Sequence, residues 1–381
     1  MRQEISELSL RKLSVPLSLY IHLPFCEKKC DYCDFYSVAA ASVRSMRDTI
    51  TRILDDVDVF LDRLSPPSIE TLYVGGGTPN SLDHELFSEL LEGLRSRVGS
   101  CREWTVEVNP EFLDAASLDA MKTAGVHRIS MGVQSFQNGK LELIGRHASA
   151  EDAEKALQLL SEQWSGRWSM DIISLLPALQ TEDWRIAAFE DLRRALSYNP
   201  GHLSLYGLTA EPGTPFFDRV KRGYSVLPAA GHAADLLQSQ WKHLEERGFI
   251  HYEVSNFARD EQRRSLHNLR YWRLEPYLGI GPAAVSTLPG KEGPLRLSFR
   301  ADVERYCNGN GTDRIHAEHI SPYSFLLEHL MTGLRTHEGV QRRRIKRRFG
   351  SQVAGTLFHS LDKKIRQYEK RQSFRRFPRL R

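Results

Sequence analysis

The stretch Tyr20-Ile-His-Leu-Pro-Phe-Cys26-Glu-Lys-Lys-Cys30-Asp-Tyr-Cys33-Asp-Phe35 is where an apolar strand gives way to a loop that carries chemistry. Three cysteines fall within eight residues, spaced four and then three apart, with no fourth nearby. Three soft sulfur ligands on one short loop suit three irons of a cubane iron–sulfur cluster and leave the fourth iron open. A structural zinc site is the alternative, but it needs a fourth ligand from a distance, and His22 is the nearest imidazole. A disulfide framework does not suit a long chain with an odd count of five cysteines. Cys101 and Cys307 stand apart and read as ordinary thiols.

Outward from this loop the chain alternates strand-like and helical segments. Residues 18–21, 71–74, 104–108, 128–133, 170–175 and 203–208 read as strands, and 43–61, 82–98, 150–164 and 181–196 as helices. Such alternation gives a parallel sheet with right-handed crossovers, either an open doubly wound sheet or an incomplete barrel. Either way, the chemistry belongs at the carboxyl ends of the strands. The pattern changes near residue 215, and a smaller mixed region is expected beyond it. A hydrophobic content of 41% is ordinary for a globular chain. No apolar run has the length of a membrane span and the N-terminus lacks a signal-peptide core, so a cytoplasmic location is expected.

Net charge is +4, but residues 341–381 carry fifteen Lys and Arg against two acids, which leaves the first 340 residues acidic. A basic tail reads as a solvated helical surface with a frayed end, or as a nucleic-acid or anionic-membrane contact. The first reading is preferred, and peripheral membrane contact stays open.

Polar residues collect at the ends of the strand-like segments. Gly75-Gly-Gly77 can present backbone N–H and C=O groups to a small polar ligand, or be a plain turn. Glu107 is suited to ribose hydroxyls, or is an exposed strand-end acid. Asn109, Gln134 and Ser135 end further strands. Asp171 lies among apolar neighbours and needs a partner if buried, with Arg146 as a candidate. The run His267-Asn268-Leu-Arg-Tyr271-Trp272 offers an imidazole, an amide and two aromatic rings. It could hold a metal or a flat ring system, or be structural.

Together with Ser130-Met-Gly-Val-Gln-Ser135, His202-Leu-Ser-Leu-Tyr206, Glu211-Pro-Gly-Thr-Pro215 and Tyr252-Glu-Val-Ser-Asn-Phe257, these motifs give the chain a family resemblance over about residues 14–340. It resembles the radical S-adenosylmethionine (SAM) family of oxygen-independent coproporphyrinogen III oxidases and HemW-type heme chaperones. The resemblance implies an α/β fold, a partial (β/α)6 radical SAM barrel with a smaller mixed C-terminal region. With the pattern change near 215 and the charge count, the expected division is a radical SAM core over 1–214, a HemW/HemN-type accessory region over 215–340 and a basic, helical or disordered tail over 341–381. Cys26, Cys30 and Cys33 would hold a [4Fe–4S] cluster whose open iron chelates SAM. Reduction would cleave SAM to methionine and a 5′-deoxyadenosyl radical. Tyr20, Tyr32, Gly76, Gly77, Thr78, Glu107, Gln134, Arg146 and Asp171 match SAM contacts. His267, Asn268, Tyr271 and Trp272 are candidate heme contacts.

Within the family, the oxidases place a fourth cysteine two residues after the third; here Phe35 stands there. That resembles the HemW side, which implies heme binding and delivery, a heme-acceptor protein and an electron donor such as a flavodoxin or ferredoxin. The alternative is a SAM-dependent coproporphyrinogen III dehydrogenase acting on a porphyrin precursor. Leu175 and Ala178 replace family glycines, Leu179 a glutamine and Val285 a histidine. The compact C-terminal helical unit of the family is expected to be degraded, with the basic tail in its place.

Overall fold

The computed structural model describes residues 8–39, 41–177, 183–310 and 313–370, with the side chains of 365–370 left aside. Six strands run in chain order: β1 (Leu17–Leu23), β2 (Ile69–Gly76), β3 (Glu103–Val108), β4 (Arg128–Gln134), β5 (Arg167–Ser174) and β6 (His202–Gly207). They pair in parallel as neighbours in that same order. A doubly wound sheet would reverse its strand order; this one does not. With right-handed crossovers, a sequential order sends every connecting helix to one face. The connections carry α1 (Val43–Leu64), α2 (His84–Val98), α3 (Ala115–Ala124), α4 (Asn138–Leu143), α5 (Ala150–Gln163) and α6 (Trp184–Ser197). Residues 178–182, which include Ala178 and Leu179, lie outside the described residues.

Alternation along each strand then separates two environments. Leu17, Leu19, Ile21, Leu72, Val74, Trp104, Val106, Ile129, Met131, Met170, Ile172, Leu203 and Leu205 face the helices in one continuous core. The intervening positions are polar: Ser18, Tyr20, His22, Thr71, Tyr73, Glu103, Thr105, Glu107, Arg128, Ser130, Ser169, Asp171, His202, Ser204 and Tyr206. They hydrogen-bond to one another, as Thr71 to Ser18 (2.9 Å), Tyr73 to Glu107 (2.7 Å) and Ser169 to Ser130 (3.0 Å). The sheet therefore wraps a polar interior.

The barrel is open between β1 and β6. After α7 (Pro215–Lys221) and α8 (Ala230–Glu246), strands β7 (Ile250–His251) and β8 (Asn256–Ala258) extend the β6 edge antiparallel. The short helix α9 (Leu266–Trp272) crosses the amino end of the barrel. Glu103 accepts from the backbone N–H of Leu266 (2.8 Å) and His267 (3.2 Å) there. Beyond it, β9 (Tyr277–Ile280) pairs parallel with β1, and β10 (Val285–Gly290) and β11 (Gly293–Phe299) follow antiparallel. After α10 (Val303–Asn308), β12 (Ile315–His319) completes a twelve-stranded sheet among the described residues.

The carboxyl-terminal segment corrects one expectation. Helices α11 (Pro322–Gly333), α12 (Arg342–Phe349) and α13 (Ser351–Lys370) pack around Val340, Ile345, Ala354 and Phe358, so a compact helical unit is present. Its apolar positions recur at helical spacing beneath the arginines, which the charge count conceals. Arg342 pairs with Asp362 (2.8 Å), and Arg348 donates to the Leu274 carbonyl (2.7 Å). Several tail cations are thus internal partners; residues 371–381 lie outside the described set. No described helix is long and apolar enough to cross a membrane.

Candidate functional site

Pro24 ends β1, and Phe25–Cys26 pairs with Val38–Ala39 in a two-residue ladder that closes the base of the cysteine loop. The glycine run grips the same base: Gly77 N–H donates to the Leu23 carbonyl (2.8 Å) and Thr78 N–H to the Phe25 carbonyl (2.7 Å). The far side of the loop is held by Asp31, whose N–H donates to Ile144 O (3.0 Å) and whose carbonyl accepts from Phe216 N–H (2.9 Å). Tyr32 is wedged among Ile144, Ile173, Leu176, Leu208 and Phe216, where burial raises its phenol pKa.

Burial raises the thiol pKa values of Cys26 and Cys33, and the neighbouring Cys30 is close enough to add to both. Thr78 Oγ1 lies 3.6 Å from the Cys26 sulfur, and Arg146 Nη1 lies 3.6 Å from that of Cys30. A tetrahedral zinc site, with Zn–S bonds of about 2.3 Å, needs ligands gathered around one point. Among the described residues no three His, Cys, Asp or Glu side chains are so gathered. His22 is not free to complete such a site. Its Nδ1 accepts from the Tyr20 hydroxyl (2.9 Å) and its Nε2 donates to the Tyr36 carbonyl (2.9 Å). Burial keeps the ring neutral. Three thiols on one short loop, with the Arg146 guanidinium beside Cys30, are the donor type and number that suit a multi-iron cluster.

Around the carboxyl mouth the glycines serve the protein's own packing. A Cβ at Gly75 would meet the Glu107 carboxylate, and one at Gly76, where φ is +104°, would meet the His22 ring. Gly76 N–H donates to Glu107 Oε2 (3.1 Å). The expectation that this run offers N–H donors to a ligand is therefore corrected for Gly76 and Gly77, whose N–H groups are engaged within the fold. Glu107 is not an exposed strand-end acid. It takes hydrogen bonds from Tyr73 and Gly76 inside the mouth, where burial raises its pKa.

Arg146 follows α4. Its Nη2 donates to Asn109 Oδ1 and the Gly132 carbonyl, both at 2.7 Å. Asp171 finds its hydrogen bonds elsewhere, from Ser130 (3.2 Å) and Ser204, and Arg146 acts on it through space. Burial raises the Asp171 pKa to about 6. A carboxyl raised above its unfolded value binds protons more tightly in the folded state, so wild-type stability falls as pH climbs from about 4 through 6. Asp171→Asn removes this dependence. Chemical denaturation at pH 5 and pH 7.5 is expected to show the pH-linked loss, about 1.4 kcal/mol by linkage, in wild type but not in the variant.

Gln134 and Leu175 both hold left-handed backbone, with φ of +69° and +63°. For a side chain larger than glycine this costs roughly 1–2 kcal/mol. Leu175 is a position where the family resemblance implies glycine, and its backbone holds the conformation that glycine favours. Phe35 is exposed, and its carbonyl accepts from Lys29 Nζ (2.8 Å). It places a ring, not a sulfur, at the fourth-cysteine position.

At the other end of the barrel, His267 is buried. Its Nδ1 bonds to Thr71 Oγ1 (2.7 Å) and its Nε2 to Tyr271 OH (2.9 Å), and burial lowers its pKa to about 3. Both ring nitrogens are engaged within the fold. Asn268, Tyr271 and Trp272 instead line a groove of about 700 Å³ where the barrel is unclosed, opposite Tyr206, Val285, Arg296 and Met331.

Three polar atoms around the mouth are buried without partners: Asp171 Oδ1, Arg146 Nε and Glu111 Oε2. A carboxylate, a guanidinium and three thiols suit a zwitterionic ligand bound beside an iron–sulfur cluster. The profile of the radical SAM superfamily matches residues 20–189. The chain is 37% identical to heme chaperone HemW of Escherichia coli over 74% of this chain and 72% of that protein. It is 33% identical to HemW of Synechocystis over 86% of this chain and 79% of that one. The chain belongs to the HemW group of the radical SAM superfamily.

A mouse mitochondrial radical SAM domain-containing protein is 38% identical over 86% of this chain and 75% of its own length. The coproporphyrinogen III oxidase HemN from Escherichia coli superposes with a TM-score of 0.73 over 95% of this chain and 84% of its own, at 22% identity, a likeness of fold. As a radical SAM protein the chain has SAM and a [4Fe–4S] cluster as its implied cofactors. Sequence reasoning missed Tyr73, Ser130 and Ser204, which hold Glu107 and Asp171 in place. The available signal was the period-two recurrence of polar residues in all six strands.

Proposed function

We propose that this HemW-group protein binds heme and hands it on. The carrying observation is its 37% identity to the Escherichia coli heme chaperone over three-quarters of the chain. Cys26, Cys30 and Cys33 would hold the [4Fe–4S] cluster, with Arg146 offsetting charge on the Cys30 thiolate. Tyr20, Gly76, Gly77, Thr78, Glu107, Gln134, Arg146 and Asp171 would receive SAM, and Tyr32 would brace the loop beneath it. When bound, the cluster and SAM supply one-electron reductive chemistry. The chain's own part is to fix the carboxylates through Tyr73 and Ser130 and to shield the loop with the apolar cluster around Tyr32.

Heme is the cargo, and the side groove supports its docking. Trp272, Leu274, Val285 and Met331 offer apolar walls for a flat macrocycle, and Arg335 suits a propionate, while Arg296 is paired with Glu328 (2.9 Å). His267 serves here by fixing Tyr271 rather than as an iron ligand. Anaerobic reconstitution followed by heme titration tests the reading. Saturable uptake is expected, and Trp272→Ala should weaken it about tenfold, the loss of one stacking wall. No uptake by wild type would remove the claim. Phe35 favours this reading over a coproporphyrinogen III dehydrogenase; catalytic formation of protoporphyrinogen with SAM and a reductant would reverse that preference.

A further inference from the structure

The amino end of the barrel, opposite the SAM mouth, carries a second cavity. It has a volume of about 640 Å³ and lies where β4, β5 and β6 begin. Its charged lining is of one sign: Lys122, Arg128, Arg167, Arg259 and Arg263, with His127 among them and no carboxylate on the wall.

Arg128 is the deepest of these, its side chain 2% exposed. Its Nε donates to Glu103 (3.2 Å), and its Nη2 to the carbonyls of Arg263 (2.7 Å) and Arg264 (3.0 Å). Its Nη1 is buried without a partner. A guanidinium carries five donors, and a buried one left unmet is costly. His127 adds a directed donor. Its Nδ1 accepts from Trp104 N–H (3.1 Å), and burial beside Arg167 keeps the ring neutral, so the proton resides on Nε2.

The nearby acids do not balance the cations. Glu103 is shared between Arg128 and Arg167, Asp260 pairs with Arg263 and Asp119 with Lys122. Arg259 is held by the carbonyls of Pro200 (3.3 Å) and Arg247 (3.2 Å) and by the Phe249 ring. Five cations thus face three carboxylates, an excess of two positive charges. Trp164 and Trp168 complete the wall.

We propose that this cavity binds a small phosphate-bearing dianion, a phosphomonoester or inorganic phosphate. A phosphate has the charge that the wall lacks and enough acceptors for several N–H donors at once. The cavity exceeds what free phosphate needs, and the tryptophan walls leave room for an aromatic ester group. The site is separate from the cluster loop and independent of the heme reading.

Calorimetric titration of the full chain with inorganic phosphate and with adenosine 5′-monophosphate tests it, with S-adenosylhomocysteine saturating the SAM mouth. One saturable site is expected, with a raised unfolding temperature in phosphate by linkage. Tighter binding of the nucleotide would assign the source as an aromatic phosphate ester, and equal or weaker binding as phosphate itself. The doubly substituted Lys122→Ala, Arg263→Ala chain keeps the buried Arg128 and should fold as wild type by circular dichroism. Its phosphate affinity is expected to fall about a hundredfold, one decade per charge-assisted contact. No saturable binding, binding unchanged in the variant, or binding of nucleic-acid polyanions alone would overturn the assignment.

Discussion

Cys30→Ala is expected to leave a folded chain that no longer holds iron. The loop does not depend on that thiol for its shape. Asp31 is tied at both its N–H and its carbonyl, and Tyr32 fills an apolar pocket. What the substitution removes is the middle ligand of three and the partner of Arg146, which lies 3.6 Å from that sulfur. Two thiolates cannot retain a cubane that three protein ligands hold. Iron and acid-labile sulfide after anaerobic reconstitution should fall by about an order of magnitude or more, since each thiolate bond to iron is worth far more than the 1.4 kcal/mol of a tenfold change. The far-ultraviolet circular dichroism should match wild type. Cys101→Ala and Cys307→Ala, remote from the loop, should retain the metal. Full iron content in Cys30→Ala would show that the triplet is not the cluster site.

Gly77→Ala should damage fold and site together. A Cβ there would press on backbone atoms, 2.7 Å from Leu23 O and 2.8 Å from Phe25 N, which cannot rotate away as a side chain can. Relief requires parting the second strand from the cysteine loop. That endangers the bonds from Gly77 N–H to Leu23 O and from Thr78 N–H to Phe25 O. Overpacking and two weakened hydrogen bonds together amount to roughly 3–5 kcal/mol. Urea denaturation should show that loss, and reconstitution of the variant should give an incomplete cluster because Cys26 moves with Phe25. A wild-type midpoint would mean that the loop yields at no cost.

Much of this architecture was legible in the chain. The strand-like runs around residues 19, 72, 106, 131, 172 and 205 correspond to the six barrel strands, because their helix-facing residues are strongly apolar and their ends fall at glycine, proline or asparagine. The cysteine spacing stated its chemistry directly, since ligand type and number are local properties. The polar half of each strand was harder to read. Ser130 or Tyr73 alone is an unremarkable residue, and only closure of the sheet turns such residues toward Asp171 and Glu107. The glycine run was legible as a close approach, but not what approaches. It is the chain's own Glu107, His22 and Phe25 that fill the space a Cβ would take.

The charge-rich segment after residue 341 shows the converse. Composition emphasised its arginines, while Ile345 and Phe358, which anchor it, are few and widely spaced.

By itself the sequence determined the alternating α/β organisation, the three-thiolate loop and the family, because these rest on local pattern and on ligand chemistry. The tertiary structure chose between the open sheet and the incomplete barrel that the strand pattern left open, in favour of the partial barrel the resemblance implied, and it alone showed that the barrel's interior is polar. It also decided that His267 is a satisfied buried imidazole, that Gly76 and Gly77 serve packing and that five cations meet at the amino end. Each of these depends on which distant residues share a volume, and strand pairing over long separations sets that where local preference cannot.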